Sequence, residues 1–314
     1  MSNSTLAPDR PRSRFLALLL PFLLEAALVV SWSAGFLGIR FASDHAPIFL
    51  ILLWRSLISG LLLLPFALTM GPRLRWSDVP PQILFGALAM AGYLSGFALA
   101  IGRGVPTGLV ALIADMLPLM VALLSWPLLG QRLTPLQWLG SLIGFVGVLI
   151  ASAGALKLGD VPLWAYGLPI LGTLSFALAT LLQKRSPAGA LPVHQSLCLQ
   201  CLAAAAILAL PAWFEGGVAP VMKLGFVGGI LWLVIVATFG SWSLYYLALR
   251  RFSPARVTAV LYLSPPVTMI WAWIMFGEPL SWAMAIGLAV SLGGIVLFSW
   301  APETAHVESK AKAG

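Results

Sequence analysis

The sequence predicts an all-α integral membrane protein with ten transmembrane helices, arranged as two inverted five-helix repeats. The prediction rests on the composition, on the spacing of long apolar segments, and on a pattern that recurs along the chain. Hydrophobic residues make up 60% of the chain and charged residues only 9%, with a mean hydropathy of +0.98. This composition excludes a water-soluble globular domain. The net charge of +8 is spread over short loops, so it indicates membrane topology rather than nucleic-acid binding.

Ten apolar segments are separated by charged residues, prolines or glycines, and each is close to the roughly 20 residues that a membrane-spanning helix needs. They cover approximately residues 15–39, 47–70, 79–101, 105–127, 134–153, 163–183, 193–214, 224–248, 257–276 and 281–300. The first is too long for the apolar region of a signal peptide, so we expect it to be a transmembrane helix. Residues 1–14 and 301–314 are expected to be cytoplasmic tails.

The two halves of the chain share a pattern, which predicts a duplicated unit. The offset is 148 positions in the pairs Pro106 and Pro254, Ala111 and Ala259, and Pro118 and Pro266. The predicted repeats cover residues 15–153 and 163–300, with five segments each. Because five is an odd number, the second repeat enters the membrane from the opposite side, and the repeats are inverted. Inverted repeats are typical of secondary transporters, since related halves can exchange inward-facing and outward-facing conformations around a central site.

Basic residues are distributed unequally between the two predicted sides of the membrane. With a cytoplasmic N-terminus, the inner segments contain Arg10, Arg12, Arg14, Arg73, Arg75, Arg132, Lys184, Arg185, Arg250, Arg251, Arg256, Lys310 and Lys312, and the outer loops contain Arg40, Arg103, Lys157 and Lys223. This bias predicts that both termini are cytoplasmic. We expect a multi-pass protein of the bacterial cytoplasmic (inner) membrane, whose partners are the lipid bilayer and a small-molecule solute and not nucleic acid.

Short motifs connect this pattern to a known family. They are Phe276-Gly277-Glu278-Pro279-Leu280-Ser281 before the last segment, Trp54-Arg55 in the second, and Ser31-Trp32-Ser33-Ala34-Gly35-Phe36 in the first. With its repeat architecture, the sequence resembles the EamA-type family of the drug/metabolite transporter superfamily. The resemblance implies a ten-helix carrier, usually an exporter of amino acids or related small metabolites, with the solute path between the halves. Gln131 departs from the acidic residue that the family often has at the first corner.

Three ionisable side chains lie inside predicted transmembrane segments: Glu25, Arg55 and Asp115. Counting the rise per residue of a helix places each of them roughly 12 to 18 Å from a membrane face, near the midplane. Charges at this depth are costly and mark functional sites; the alternative is a structural ion pair that fixes packing. The placement of Glu25 resembles that of the first-helix glutamate of the small multidrug resistance branch, which exchanges protons for substrate. This resemblance implies that Glu25 couples transport to protons.

Prolines are expected to break two helices at corresponding depths. Pro118 follows Asp115 in the fourth segment, and Pro265 and Pro266 lie in the ninth, where each removes a backbone donor. Broken helices in corresponding positions of two halves point to a binding site. Aromatic residues near these breaks can stack on a solute, although ordinary packing explains each of them as well: Tyr93, Trp242, Tyr245, Tyr246 and Tyr262.

These observations predict a secondary transporter, an exporter of amino acids or related small polar metabolites that works by alternating access, with or without proton coupling. The alternatives are an exporter of a larger amino-acid-derived compound such as an opine metallophore, a channel, or an intramembrane enzyme. Motifs of zinc proteases, serine hydrolases and nucleotide-binding loops are absent from the sequence, so we expect no catalytic residues and no cofactor. No metal site is expected either, because Cys198 and Cys201 lack a second ligand pair. The solute, the direction of transport and homo-oligomerisation stay open at this stage.

Overall fold

The computed structural model describes residues 11–129, 134–156, 161–251, 260–261 and 263–300, which form helices and turns without a β-strand. The helices of the first half are α1 (Pro11–Ser43), α2 (Ile48–Thr69), α3 (Val79–Phe85), α4 (Tyr93–Gly102), α5 (Thr107–Ala114), α6 (Leu117–Leu129) and α7 (Pro135–Leu156). Those of the second half are α8 (Gly167–Arg185), α9 (Val193–Phe214), α10 (Leu224–Trp232), α11 (Ser241–Arg251), α12 (Ser264–Phe276) and α13 (Trp282–Trp300). Two π-helical segments, π1 (Gly86–Gly92) and π2 (Leu233–Gly240), join α3 to α4 and α10 to α11.

Six helical stretches of the described chain are long and apolar enough to cross a membrane: Leu20–Ser43, Ile48–Thr69, Trp76–Gly102, Leu163–Gln183, Val193–Phe214 and Leu224–Tyr245. Large apolar side chains cover the outside of the bundle, including Phe22, Leu68, Leu171 and Ile274. Such a continuous apolar exterior is unfavourable in water and favourable in lipid, where each helix also satisfies its own backbone. The chain is therefore a multi-pass membrane protein.

Glycine brings α7 and α13 into close contact. A Cβ atom on Gly140 would lie 2.6 Å from the backbone nitrogen of Phe298, and one on Gly287 would lie 2.5 Å from that of Ala151. Gly294 likewise faces the backbone of α7 at Gly144. Without side chains in between, the two backbones approach closely enough for extensive dispersion contact, which drives helix association in lipid.

The two π-helical segments are stabilised in different ways. In π2, the Thr238 hydroxyl donates to the carbonyl of Leu233 at 2.9 Å, and the Ser241 hydroxyl reaches that of Val236 at 3.4 Å. In π1, Ser175 of the neighbouring α8 donates to the carbonyl of Leu88 at 2.8 Å. A π-helical segment adds one residue to a turn and frees carbonyls, so hydroxyls at these positions keep buried acceptors satisfied. Each segment turns the side chains that follow it toward a new direction.

Two helices are interrupted near prolines. The backbone leaves helical geometry at Asp115 and Met116, between α5 and α6, where the Met116 amide bonds to Ile113 at 3.1 Å. A similar tightened turn precedes α12, in which the Leu263 amide bonds to Val260 at 3.1 Å. Both interruptions end just before a proline, which cannot donate to the preceding turn. The helix before the first interruption, α5, packs against the helix after the second, α12.

Candidate functional site

A cavity of about 450 Å³, counting its open mouth, lies between α1, α2, α4 and α11. Both π-helical segments end at it, because Tyr93 follows π1 and Ser241 follows π2 directly. The helix α1 contributes Gly35, whose missing side chain leaves room in the wall. The cavity therefore collects residues from both halves of the chain.

Arg55 lies at the wall of this cavity on α2 and is only 5% exposed. Its Nε donates to the Thr238 hydroxyl at 3.2 Å, and Thr238 passes a hydrogen bond on to the carbonyl of Leu233. Tyr93 and Cys201 interact with it electrostatically. Within the residues that the structure describes, the ion pairs are both formed by Arg40, and Arg55 belongs to neither. A buried guanidinium thus faces the cavity with most of its donors unused.

Aromatic rings form much of the remaining wall. The ring centroids of Trp32 and Trp242 are 5.9 Å apart, and Tyr93 packs edge-on against Phe97 at 4.2 Å. Phe176 of α8 supports the wall from behind, with centroids 4.6 Å from Tyr93 and 6.0 Å from Trp242. Tilted and edge-on rings at these distances hold each other in place. We call Trp32, Tyr93, Phe97 and Trp242 the aromatic cage. It forms a preformed apolar surface next to the Arg55 cation.

The serines of α1 fasten this helix to the second half. The Ser241 hydroxyl donates to the carbonyl of Ser31 at 2.6 Å, and the Ser33 hydroxyl reaches the carbonyl of Ser264 at 3.2 Å. Trp232 donates from its indole to the carbonyl of Ala34 at 2.8 Å. These bonds fix the rotation of α1, and so they point Trp32 into the cavity.

Asp115 occupies the interruption between α5 and α6 and is 7% exposed. Its Oδ2 is buried and has no hydrogen-bond partner among the described residues. Tyr93, at the cavity wall, lies within electrostatic range of both Asp115 and Arg55. Asp115 itself does not line the cavity.

Glu25 is half-buried on α1, seven residues before Trp32, which places it about 10 Å from the cavity along the helix axis. The preceding residue, Leu24, belongs to a second buried cluster with Leu28 and Ala248. Tyr245 packs against that cluster and against Trp32, with ring centroids 5.7 Å apart. Glu25 is not among the described residues that line the cavity containing Arg55.

Several predicted site residues are described only in part. Tyr262 lies outside the described residues, and of Pro118 and Tyr246 the structure describes the helical backbone alone. Pro265 is buried at the first turn of α12, and Pro266 follows it. In the described residues, no group of three His, Cys, Asp or Glu side chains could hold a metal ion.

At the end of the bundle where α1 ends, Glu278 joins three elements. Its carboxylate accepts from the backbone amide of Thr107 at 2.7 Å and from the Thr107 hydroxyl, and lies 3.7 Å from Nε of Arg40. Arg40 also pairs with Asp44 at 2.5 Å and stacks over the ring of Phe276 at 5.0 Å. A carboxylate at the first amide of α5 is favoured by the helix dipole. We call Arg40, Thr107 and Glu278 the end clamp.

Sequence reasoning missed several of these residues. Trp32 and Glu278 stood in the motifs quoted for the family resemblance, which is the signal that was available for them. Thr238, Phe97 and Phe176 carry no such signal, because apolar and small polar residues occur throughout these helices. Their place at the site follows from the packing of distant segments.

The described fold is that of a multi-pass membrane protein, with a cavity that both halves of the chain line. A family model, the EamA-like transporter family, matches the chain twice, at residues 19–153 and 163–300. The chain belongs to this family, as the motifs and the repeat pattern had indicated.

Two relatives are of similar length to this chain. The uncharacterized inner membrane transporter YedA of Escherichia coli K12 is 29% identical over 297 residues, covering 90% of this chain and 92% of that protein. A probable terminal-alkyne amino-acid exporter of Streptantibioticus cattleyicolor is 29% identical over 287 residues, covering 86% and 90%. One solved crystal structure matches with a TM-score of 0.60 at 21% identity, covering 88% of this chain and 95% of the other. At that identity the structure shows a shared fold and nothing about the solute.

Proposed function

We propose that this protein is a secondary transporter that exports amino acids or related small carboxylate metabolites across the cytoplasmic membrane by alternating access. The observation that carries the proposal is the central cavity, which both halves of the chain line and which contains the buried Arg55. A membrane-embedded cavity of this kind, reached by broken or irregular helices, is where secondary transporters bind their solutes. The relative named as a probable amino-acid exporter supports the same class of solute.

Alternating access requires two related halves, and several features support an inverted repeat over residues 15–153 and 163–300. The segment π2 begins 147 positions after π1, and the interruption at Leu263 follows that at Asp115 by 148 positions. Helices at equivalent places in the two halves pack against each other, in the pairs α2 with α9 and α7 with α13. Such pairs are expected when two copies of one unit are related by a two-fold axis in the membrane plane.

In the proposed topology both termini are cytoplasmic, so the end clamp faces the outside. Glu278 there ties α5 and the corner between α12 and α13 to α1 through Arg40. Because the end clamp closes the outer end of the bundle, it supports assigning this structure to a state whose cavity is not open to the outside. The outward-facing state then requires the clamp to separate.

Cysteine labelling tests the orientation. Residues placed at Ser43 and Gly159 should react with a membrane-impermeant reagent from outside, while those at Ser77 and Ser186 should be protected. Labelling at Ser186 with protection at Gly159 would reverse the topology and put the clamp on the cytoplasmic face.

Reconstitution into liposomes tests the function itself. A carrier should show saturable counterflow, in which unlabelled amino acid inside the liposome accelerates entry of labelled amino acid. A channel would give a current proportional to voltage, and an intramembrane enzyme would alter its substrate chemically. A metabolite comparison of the medium of cells with and without the protein tests the direction of transport, and it also separates amino acids from a larger compound such as an opine metallophore.

A further inference from the structure

The chemistry of the cavity narrows the class of solute. Arg55 has five N–H donors, of which the structure assigns Nε to Thr238. The four N–H groups of its two terminal nitrogens have no hydrogen-bond acceptor among the described residues, although the side chain is 5% exposed. A buried cation with an unused planar fork is costly, and a carboxylate that accepts two parallel bonds removes this cost.

The walls beside Arg55 favour a flat apolar group. Trp32, Tyr93, Phe97 and Trp242 present ring faces or edges to the cavity, and the rings are held by contacts with one another. Aromatic surfaces of this kind bind apolar and planar groups by burial and by offset or edge-on stacking. The bound solute therefore has an anionic end at Arg55 and a ring or similarly flat apolar end against the cage.

The described lining offers an ammonium group no carboxylate partner. The described residues that line the cavity include no Asp or Glu, so Asp115 is not part of its wall. A second cation next to the buried guanidinium is repelled in a medium of low dielectric constant. Amino acids satisfy the site through their carboxylate, and the amino group contributes little to binding.

We propose that the cavity binds monocarboxylates that carry an aromatic or similarly flat apolar group, and that it does not require an amino group on the solute. This inference rests on the proposed function, because it assigns the solute class of the same cavity. It widens the expected solutes from amino acids to their counterparts without nitrogen, such as aryl-alkanoic and aryl-keto acids.

Binding to the purified full-length protein in nanodiscs, measured by calorimetry, tests the proposal with four probes. They are 3-phenylpropanoate, phenylalanine, 2-phenylethylamine and acetate, which differ in the ring, the carboxylate and the ammonium group. We expect 3-phenylpropanoate to bind at least as tightly as phenylalanine, acetate to bind on the order of tenfold or more weakly because it lacks the ring, and the amine not to bind. Binding of the amine, or phenylalanine binding more than about tenfold tighter than 3-phenylpropanoate, would overturn the proposal.

Variants locate the two ends of the solute. Arg55→Met should weaken 3-phenylpropanoate binding by roughly 30-fold or more, while Arg55→Lys retains part of the affinity because it keeps the charge but loses the fork. Trp32→Leu should weaken the binding of 3-phenylpropanoate and leave the binding of acetate unchanged. Trp213→Leu on the exposed surface serves as its control.

Unchanged binding of 3-phenylpropanoate in a folded Arg55→Met protein, judged by its elution as a single species, would also overturn the proposal. So would an Asp115→Asn variant that binds 3-phenylpropanoate normally but loses phenylalanine, because the amino group would then be recognised.

Failure of this inference and failure of the proposed function are distinguishable. Carboxylate binding without counterflow would contradict transport and leave the assigned binding site standing. Counterflow of a solute that competes with none of the four probes would support transport and remove the assigned solute class.

Discussion

Replacing Arg55 with methionine should leave the protein as stable as the natural sequence or make it more stable. The guanidinium is buried, and in the described structure its hydrogen bond is the one to Thr238, at 3.2 Å. Losing a hydrogen bond to a charged group costs about 1.5 to 3 kcal/mol. Removing an uncompensated buried charge gains back a desolvation penalty of several kcal/mol per ion. Thr238 keeps its own bond to the carbonyl of Leu233, so the variant leaves no buried hydroxyl without a partner.

We therefore expect the free energy of unfolding of ligand-free Arg55→Met to equal that of the natural protein or to exceed it by up to about 3 kcal/mol. A structural role for Arg55 predicts the opposite sign. If the guanidinium held a carboxylate in an ion pair, breaking that pair would destabilise the protein by about 3 to 5 kcal/mol. The two interpretations therefore predict opposite signs for the change in stability, and the measurement distinguishes them.

Thermal unfolding of the detergent-purified protein, followed by circular dichroism and by recovery of the monodisperse species, provides the assay. Arg73→Met is the matched control, because Arg73 is exposed and its replacement should change stability by no more than about 0.5 kcal/mol. An apparent melting temperature of Arg55→Met clearly below that of Arg73→Met would refute the reasoning. In the natural protein, saturating 3-phenylpropanoate should raise the melting temperature, and in Arg55→Met this rise should disappear.

Three further predictions concern Glu25, Glu278 and Gly294. Glu25→Gln should abolish transport driven by a pH gradient and preserve counterflow, as measured in liposomes; full pH-gradient coupling in a well-expressed variant would rule out a proton-coupling role. Glu278→Gln removes the ion pair with Arg40 and weakens the cap on α5, and together these interactions are worth about 1 to 2 kcal/mol. A cysteine at the cavity residue Ile39 should therefore react roughly 5- to 30-fold faster with a reagent added from outside. The control Asp44→Asn should leave that rate unchanged. Gly294→Ala should destabilise the protein by about 1 to 3 kcal/mol, because the new Cβ would meet the backbone of α7. The neighbouring Gly293 has open space around it, so Gly293→Ala should change the melting temperature little. Equal effects at both positions would contradict the close packing of α7 and α13.

Most of the architecture is readable in the sequence because lipid imposes a strong and simple constraint. A segment that crosses the hydrocarbon core must be long, apolar and internally hydrogen-bonded, so span positions follow from hydropathy. The helix α1 begins at Pro11, four residues before the expected start, and the long span from Trp76 to Gly102 contains a π-helical segment that hydropathy does not reveal. Apolar length defines a span without defining its local geometry.

The candidate site is less readable because membrane helices are apolar on all sides. A soluble helix reveals its buried face by amphipathic spacing, whereas Phe97 and Phe176 have the same character as residues that face lipid. Ionisable residues are the exception, since their cost in a membrane singles them out, and so Arg55, Asp115 and Glu25 were found. Their depth along the chain said nothing about their partners, and in the structure Glu25 lies about 10 Å along α1 from the cavity wall at Trp32.

The sequence alone determined that this chain is a multi-pass membrane protein of the EamA-like family, with a pattern repeated after about 148 residues and costly charges at Glu25, Arg55 and Asp115. Only the tertiary structure decided that Arg55 meets Thr238 instead of a carboxylate, and that Trp32 and Trp242 stand beside it. The physical reason is that π1 and π2 each shift the helical register by one residue, which turns Tyr93 and Ser241 to the cavity. Contacts between segments nearly 200 residues apart then fix those rotations, and no local pattern encodes them.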